Sequence, residues 1–443
     1  MLKSSKGKKI AFLITAVSLL AVLVGVGAQR RCVAQGANDY ESIELFTDVL
    51  SIVKKSYVEE VDTKKLIYGA INGMLSSLDP HSSFMPPDTY KEMKIETKGS
   101  FGGLGIEISI KDGLLTVISP IEDTPAYKAG IKAGDQILRI DEKFTKDLSV
   151  MDAVKRMRGP KGAKVTLTIM REGFDKPKEF PLIRDIVQVK SVKFKMLDEG
   201  FGYIRISQFQ EKTDDDLIKA FHDLKQSNGG NLRGLVLDLR NDPGGLLDQS
   251  QRVAGHFLND GQLVVYTEGR EKDSKMQLFA GKGDKEPHYP IVALINSGSA
   301  SAAEIVAGAL QDHKRAVIMG TQSFGKGSVQ TIIPLSDNSG LRLTTARYFT
   351  PSGRSIQAKG ISPDIVVEKI ELTATEKKEI MHIRESDLEN HFVTDKKVPE
   401  EEKKVGKMPP YKTDEQVKSD YQILRALDLL KGWDILKKIG STS

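Results

Sequence analysis

The chain has 443 residues, more than a single typical domain, so about two to three domains are expected. Its formal net charge of +5 is weak for that length, and no basic stripe interleaved with aromatics runs along it, which argues against nucleic-acid binding. One cysteine, Cys32, leaves no intramolecular disulfide framework, as fits a reducing compartment or an envelope protein without bridges.

In chain order, Lys3, Lys6, Lys8 and Lys9 come first and precede an apolar run from Ile10 to Ala28. A basic stretch followed by such a run signals export. As a helix the run spans roughly 28 Å, close to the ~30 Å of a bilayer core. Residues 1–28 therefore read equally as a signal peptide cleaved after the small residues Val26-Gly27-Ala28, or as a retained anchor with the lysines inside. Both place the body outside the inner membrane, in the periplasm or cell envelope. Cys32 follows Arg30-Arg31 rather than the small residues of a lipobox, so no lipid is expected.

Residues 38–95 read as a helical region. Ile43, Leu45-Phe46, Leu50 and Ile52-Val53 recur at helical spacing, and a second amphipathic segment, Leu66 to Leu78, stops at Asp79-Pro80. His81 just beyond is expected to be a capping or packing residue rather than a base.

Residues 96–185 open on the glycine loop Gly103-Leu104-Gly105-Ile106. The run Ile106-Glu107-Ile108-Ser109-Ile110 alternates as a half-buried strand. Pro125-Ala126-Tyr127-Lys128-Ala129-Gly130-Ile131 with Gly134-Asp135, a helix over Val150 to Arg158 and a strand over Val165 to Ile169 complete the pattern. It resembles a PDZ domain. The resemblance implies that a peptide C-terminus adds a strand beside Ile106–Ile110, its carboxylate held by amides of Gly103, Leu104, Gly105 and Ile106. An apolar last side chain then fits between Ile106, Ile108 and the helix around Val154 and Met157, and a charged one is disfavoured by desolvation.

Residues 186–370 alternate strands (202–206, 234–239, 291–295, 316–319, 329–334) with helices (213–224, 246–257, 302–311), which argues for stacked β and α layers. Residues 371–443 read as a charged linker, most charged over 396–410, and a last helix over 413–438.

Chemistry concentrates in three segments of the α/β core. Ser301, in Asn296-Ser-Gly-Ser-Ala-Ser301-Ala-Ala-Glu304, stands where a buried strand turns into a helix, so backbone amides and a helix N-terminus converge there. Lys326, in Ser323-Phe-Gly-Lys326-Gly-Ser-Val-Gln330, is flanked by glycines that let its backbone approach a neighbour, and a buried, neutral lysine is able to act as base. Arg240-Asn-Asp-Pro-Gly244-Gly245 makes a tight turn whose amides are free to point at a ligand. Gln330 lies an even number of positions beyond Lys326, on the same face if one strand carries both. Ser297 and Ser299, the rival nucleophiles, read as turn or capping residues.

The SASAAEI and FGKGSVQ segments together resemble the C-terminal processing peptidases, or tail-specific proteases, serine proteases with a Ser/Lys dyad and a PDZ domain. The resemblance runs from about residue 38 to the C-terminus. It implies Ser301 as nucleophile, Lys326 as base, Gln330 holding the lysine amine, and the Gly245 and Ala302 amides as the oxyanion hole. The expected fold is thus a multidomain α/β protein: an N-terminal helical region, a PDZ domain of mostly β structure with two helices, a protease core and a helical C-terminal segment. The expected partners are proteins or peptides with apolar tails, and the terminal helical segments fit a homo-oligomer. No cofactor or metal is expected, since none of the seven histidines forms a metal-ligand cluster.

Other readings fall short on the residues. Gly320 to Lys326 fits most of a P-loop, but Gly327 stands where Ser or Thr must hold Mg²⁺ and a strand follows instead of a helix. Ser323-x-x-Lys326 and Ser336-Asp337-Asn338 match two motifs of the penicillin-interacting serine enzymes, but no K-T-G follows. His313 lies roughly 18 Å along the helix from Ser301 and does not reach it. A non-catalytic PDZ scaffold of the envelope is the remaining alternative, disfavoured because Ser301, Lys326 and Gln330 are all present.

Overall fold

The computed structural model describes residues 40–146, 148–270, 275–368, 384–388, 391 and 420–440. The leader over 1–28, Cys32, most of the charged linker and the first residues of the expected last helix lie outside the described residues. The chain divides into two compact units, residues 1–74 and 75–443. In the first, a helix covers residues 40–56, and helix Thr63–Ser76 begins. Of the residues that carry the helical spacing, Ile43, Leu45, Phe46 and Ile52 are exposed, and Leu50 and Val53 are partly buried.

The second unit begins with the remainder of helix Thr63–Ser76, strand Ser83–Met85 and helix Pro87–Lys98. Gly99 ends that helix at φ 67°, the left-handed conformation glycine adopts without strain. Strand Ser100–Gly103 then pairs with Asp185–Gln188, so the chain enters and leaves the next domain side by side. Between them lies an antiparallel sheet in the order Ile106–Lys111, Leu114–Pro120, Gln136–Ile140, Lys164–Met170 and Lys178–Ile183, with Lys143–Phe144 on Gln136–Ile140. Lys164–Met170 alternates as expected, with Val165, Leu167 and Ile169 inward. These residues join Leu115, Val117, Ile137, Ile140, Ala153 and Met157 in a core of their own.

The remaining residues build a six-stranded sheet in the order Val192–Asp198, Phe201–Ile206, Gly234–Asp238, Ile291–Ile295, Val317–Gly320, Ile365–Val366. All neighbours are parallel except the first pair. Gly234–Asp238 and Ile291–Ile295 are buried throughout, as their continuous apolar runs require of strands covered on both faces. Helices Thr213–Ser227, Leu247–Gly255 and Ala302–Asp312 cover one face. Helix Tyr421–Gly440 covers the other, packing Ile423, Ala426 and Leu430 on Val236, Val292, Leu294 and Met319. With Ile423, Ala426 and Leu430 buried against the sheet, the last helix is part of the core rather than an appendage.

A second sheet, Ser83–Met85, Gly340–Phe349, Leu263–Gly269, Met276–Phe279, with Ser328–Pro334 on the long strand, was not expected as such. Its strands are half-buried and carry charged residues such as Arg342, Arg347 and Glu268, which blurs their apolar pattern.

Candidate active site

The three chemistry-bearing segments leave the carboxyl ends of neighbouring parallel strands, Gly234–Asp238, Ile291–Ile295 and Val317–Gly320, so they meet at one end of the sheet. Asn296 ties the first two together. Its Oδ1 accepts the Asn241 amide at 2.8 Å and its Nδ2 donates to Asn241 Oδ1 at 2.9 Å. Ser299 is wholly buried and its hydroxyl donates to the Leu239 carbonyl at 2.7 Å, which makes it a structural bolt rather than a nucleophile.

Ser301 sits at φ 56°, ψ −116°, ahead of helix Ala302–Asp312. A non-glycine residue there is strained, and such strain persists only where the surroundings over-determine it. The surroundings are Glu304. Its carboxylate is fully buried and accepts the Ser301 amide (2.8 Å), the Ser323 hydroxyl (2.5 Å), the Gly325 amide (2.7 Å) and the Lys326 amide (2.9 Å). Burial pushes this carboxyl up to about 7, against those four bonds, which favour the ionised form. The pattern of small residues around Ser301 gave no hint of this role for Glu304.

Gly325 and Gly327 do what their flanking of Lys326 suggested. A Cβ on Gly327 would stand 2.4 Å from the Gln357 nitrogen, and Gly325, at φ 101°, lies against residues 358–360. Burial, with Arg342 nearby, holds the Lys326 amine below its ordinary range, while Glu385, Glu304 and Asp79 act in the opposite sense. The amine makes no hydrogen bond or ion pair among the described residues. Tyr348, buried in the long strand Gly340–Phe349, donates its hydroxyl to the Lys326 carbonyl, and the Ser301 side chain faces the same phenol. No motif pointed to Tyr348.

At the turn Asp242-Pro243-Gly244-Gly245, Gly244 presses on the serine: a Cβ there would lie 2.7 Å from Ser301 Cβ and 2.9 Å from the Ala302 nitrogen. Gly245, at φ 147°, lies so close to Phe209 that a Cβ would come within 2.1 Å of its carbonyl oxygen. The Gly245 and Ala302 amides donate to no acceptor among the described residues.

Two expectations change. Lys326 precedes strand Ser328–Pro334 rather than belonging to it, and a bulge between Val329 and Gln330 breaks the alternation. The shared-face argument for Gln330 therefore does not apply, and its side-chain amide donates to Ser328 Oγ (2.9 Å) and Thr344 Oγ1 (3.4 Å). His81 is neither a cap nor simple packing: its Nε2 lies 2.7 Å from both carboxylate oxygens of Glu385. His313 ends the helix that Ser301 begins and pairs with the Leu263 carbonyl. Among the described residues no group of three or more His, Cys, Asp or Glu side chains is arranged to hold a metal ion.

In the glycine-loop domain, Ile106–Lys111 is an edge strand with one side unpaired. Gly105 takes φ 76°, and the Leu104 and Gly105 amides donate to no acceptor among the described residues. Ile106, Ile108 and Val154 are half-buried beside this edge, whereas Leu104 and Met157 are buried in the domain's core, so those two form the floor rather than the walls of a groove. Lys155–Asp88 and Arg158–Glu92 ion pairs tie the groove helix Val150–Met157 to helix Pro87–Lys98.

Residues 200–367 match peptidase family S41, residues 92–170 the PDZ domain, and residues 26–89 the activating protease CtpB N-terminal domain. A carboxy-terminal-processing protease of Bartonella bacilliformis is 49% identical over 426 residues, covering 96% of this chain and 96% of that protein. The carboxy-terminal processing protease CtpB of Bacillus subtilis is 37% identical over 72% of this chain and 66% of its own length. The solved photosystem II D1 C-terminal processing protease is 31% identical over 73% of this chain and 92% of that one, with a TM-score of 0.42. On the similarity that runs the length of the Bartonella protein, this chain belongs to the carboxy-terminal-processing proteases, serine peptidases of family S41 with a PDZ domain ahead of the catalytic core.

Proposed function

We propose that Ser301 is the nucleophile of this peptidase and Lys326 its general base. The observation that carries the reading is the shared anchor: the Ser301 and Lys326 amides bond to one buried carboxylate, with the lysine amine buried and unpaired beside them. An unpaired amine held below its ordinary pKa range is able to exist neutral and to accept a proton.

In the forward step the Ser301 oxygen bonds to the scissile carbonyl carbon as its proton passes to Lys326 Nζ. The carbonyl electron pair moves to oxygen, and the Gly245 and Ala302 amides, which have no other acceptor, receive the oxyanion. The Lys326 ammonium then protonates the leaving amine as the C–N bond breaks. A water attacks the acyl-serine and gives a proton to Lys326. As the tetrahedral intermediate collapses and the C–O bond to Ser301 breaks, Lys326 returns that proton to the Ser301 oxygen, and the released carboxylic acid ionises to the carboxylate. Gln330 stands on the same wall through Ser328 and Thr344, and steadies the strand that follows the lysine loop.

The PDZ domain offers substrate tails an open strand edge and two unbonded amides, with aliphatic Ile106, Ile108 and Val154 beside them. This favours apolar C-terminal residues. The basic and apolar leader over residues 1–28 supports export, as a cleaved peptide or an anchor, with the enzyme in the periplasm or envelope. Exposed apolar side chains on helices 40–56 and Tyr421–Gly440, among them Phe46, Trp433 and Leu436, support association of copies.

The experiment is cleavage of a tail-exposed, unfolded protein by S301A, K326A and the double variant. Each single change should abolish turnover, and the double should be no worse, because residues that act as a unit are not additive. Substantial turnover by either single variant removes the assignment.

A further inference from the structure

Residues 384–388 lie beyond the stretch that matches the peptidase family, yet they reach the lysine loop. The Glu385 amide donates to the Phe324 carbonyl at 3.1 Å. Its carboxylate is fully buried, 2.7 Å from His81 Nε2, and accepts Gln357 Nε2 at 2.7 Å. Gln357 in turn accepts the Gly327 amide on its Oε1 at 3.0 Å. The loop residues on both sides of Lys326 are thus bonded, directly or through one side chain, to Glu385.

We propose that Glu385 is a positioning residue of the catalytic centre: with His81 and Gln357 it fixes the loop that carries Lys326 and holds a negative charge beside the lysine amine. The inference rests on Lys326 being the base. Glu304 grips the Lys326 loop through its Gly325 and Lys326 amides, and Glu385 grips it at Phe324 and, through Gln357, at Gly327, so the loop is held by two buried carboxylates from different parts of the chain. A buried carboxylate is costly unless fully bonded, and Glu385 meets that condition only with both His81 and Gln357 in place.

The charged groups acting on the amine are Arg342 from the long strand, Glu304 from the serine helix, Asp79 from the turn before strand Ser83–Met85, and Glu385; His81 stands next to Glu385. A carboxylate favours the ammonium form, so Glu385 opposes the burial that drives Lys326 neutral. Removing its charge while keeping its shape should ease proton loss from Lys326.

The test measures kcat and kcat/KM against pH for the full chain, wild type beside E385Q, E385D and K326A, with thermal melts as the check on folding. E385Q should move the rising limb to lower pH by roughly half a unit or more. E385D, which keeps the charge but shortens the reach to His81 and Gln357, should leave the limb in place and lower kcat at least roughly tenfold. A folded E385Q with the wild-type limb and kcat overturns the proposal. If E385Q does not fold, wild-type kcat in E385D overturns it and a lowered kcat with an unmoved limb supports it. Activity in K326A sinks the base assignment instead, a failure read without any change at residue 385.

Discussion

Ser301 and Lys326 donate their backbone amides to the same carboxylate oxygen, Oε2 of Glu304, at 2.8 and 2.9 Å. The other oxygen takes the Ser323 hydroxyl and the Gly325 amide. One side chain in the first turn of the serine helix therefore sets the register between that turn and the lysine loop. The strained backbone of Ser301 is held from within the protein, so no substrate is needed to create the conformation.

The pH dependence of turnover should follow Lys326. Burial disfavours its ammonium form and lowers its pKa, and the base works only when deprotonated. With Lys326 as the proposed base, activity should be lost as pH falls through that lowered pKa and should rise with pH through a value below the ~10.4 of free lysine. K326R should be inactive throughout, because a guanidinium keeps its proton in this range. A pH–kcat/KM profile that K326R retains would falsify the assignment.

The oxyanion site is tested at Gly244 rather than at the amides themselves. In G244A the new Cβ meets Ser301 Cβ at 2.7 Å and the Ala302 nitrogen at 2.9 Å, and the residue must also hold φ 94°. The Ala302 amide has to move, so kcat should fall roughly 100-fold or more, with a smaller change in KM. Unchanged kcat in a folded G244A protein would mean that this turn does not serve the oxyanion.

Glu304 makes a stability prediction with a definite sign. Its folded-state value, about 7, lies above the ordinary 4.5, so between these the native state holds a proton that the unfolded chain has released. Its contribution to stability is therefore present below pH 4.5 and declines as pH rises through about 7, by about 3 kcal/mol in all. Urea unfolding of wild type and E304Q across this window should show their difference falling with pH. A pH-independent difference would show that Glu304 does not titrate there.

Tail recognition is read with full-length S301A, which binds without cleaving. Two peptides share an apolar C-terminal sequence, one with a free carboxylate and one amidated. Calorimetry should show the amidated peptide about tenfold weaker or worse, since a charge-assisted bond to the Leu104 and Gly105 amides is lost. Equal affinities would place tail selection elsewhere than the glycine loop.

Much of this was legible in the sequence because it is local. The apolar run Ile291–Ile295 reads as a buried strand and residues 235–239 as a strand, and the glycines at 325 and 327 mark a close backbone approach, since period and steric freedom are properties of short stretches. The half-buried strands Leu263–Gly269 and Gly340–Phe349 leave no clear period in the sequence because their interleaved charges blur it. Parity along one strand puts Gln330 on the face of Lys326, but Lys326 precedes the strand and a bulge between Val329 and Gln330 breaks the alternation. Glu304, Tyr348, His81 and Glu385 owe their parts to partners far along the chain. The sequence by itself determined the nucleophile and base candidates, the open-edged peptide domain and the layered core. Only the tertiary structure decided which buried carboxylates hold the serine turn and lysine loop together, because a hydrogen bond between Glu385 and His81 exists in space and leaves no period or spacing along the chain.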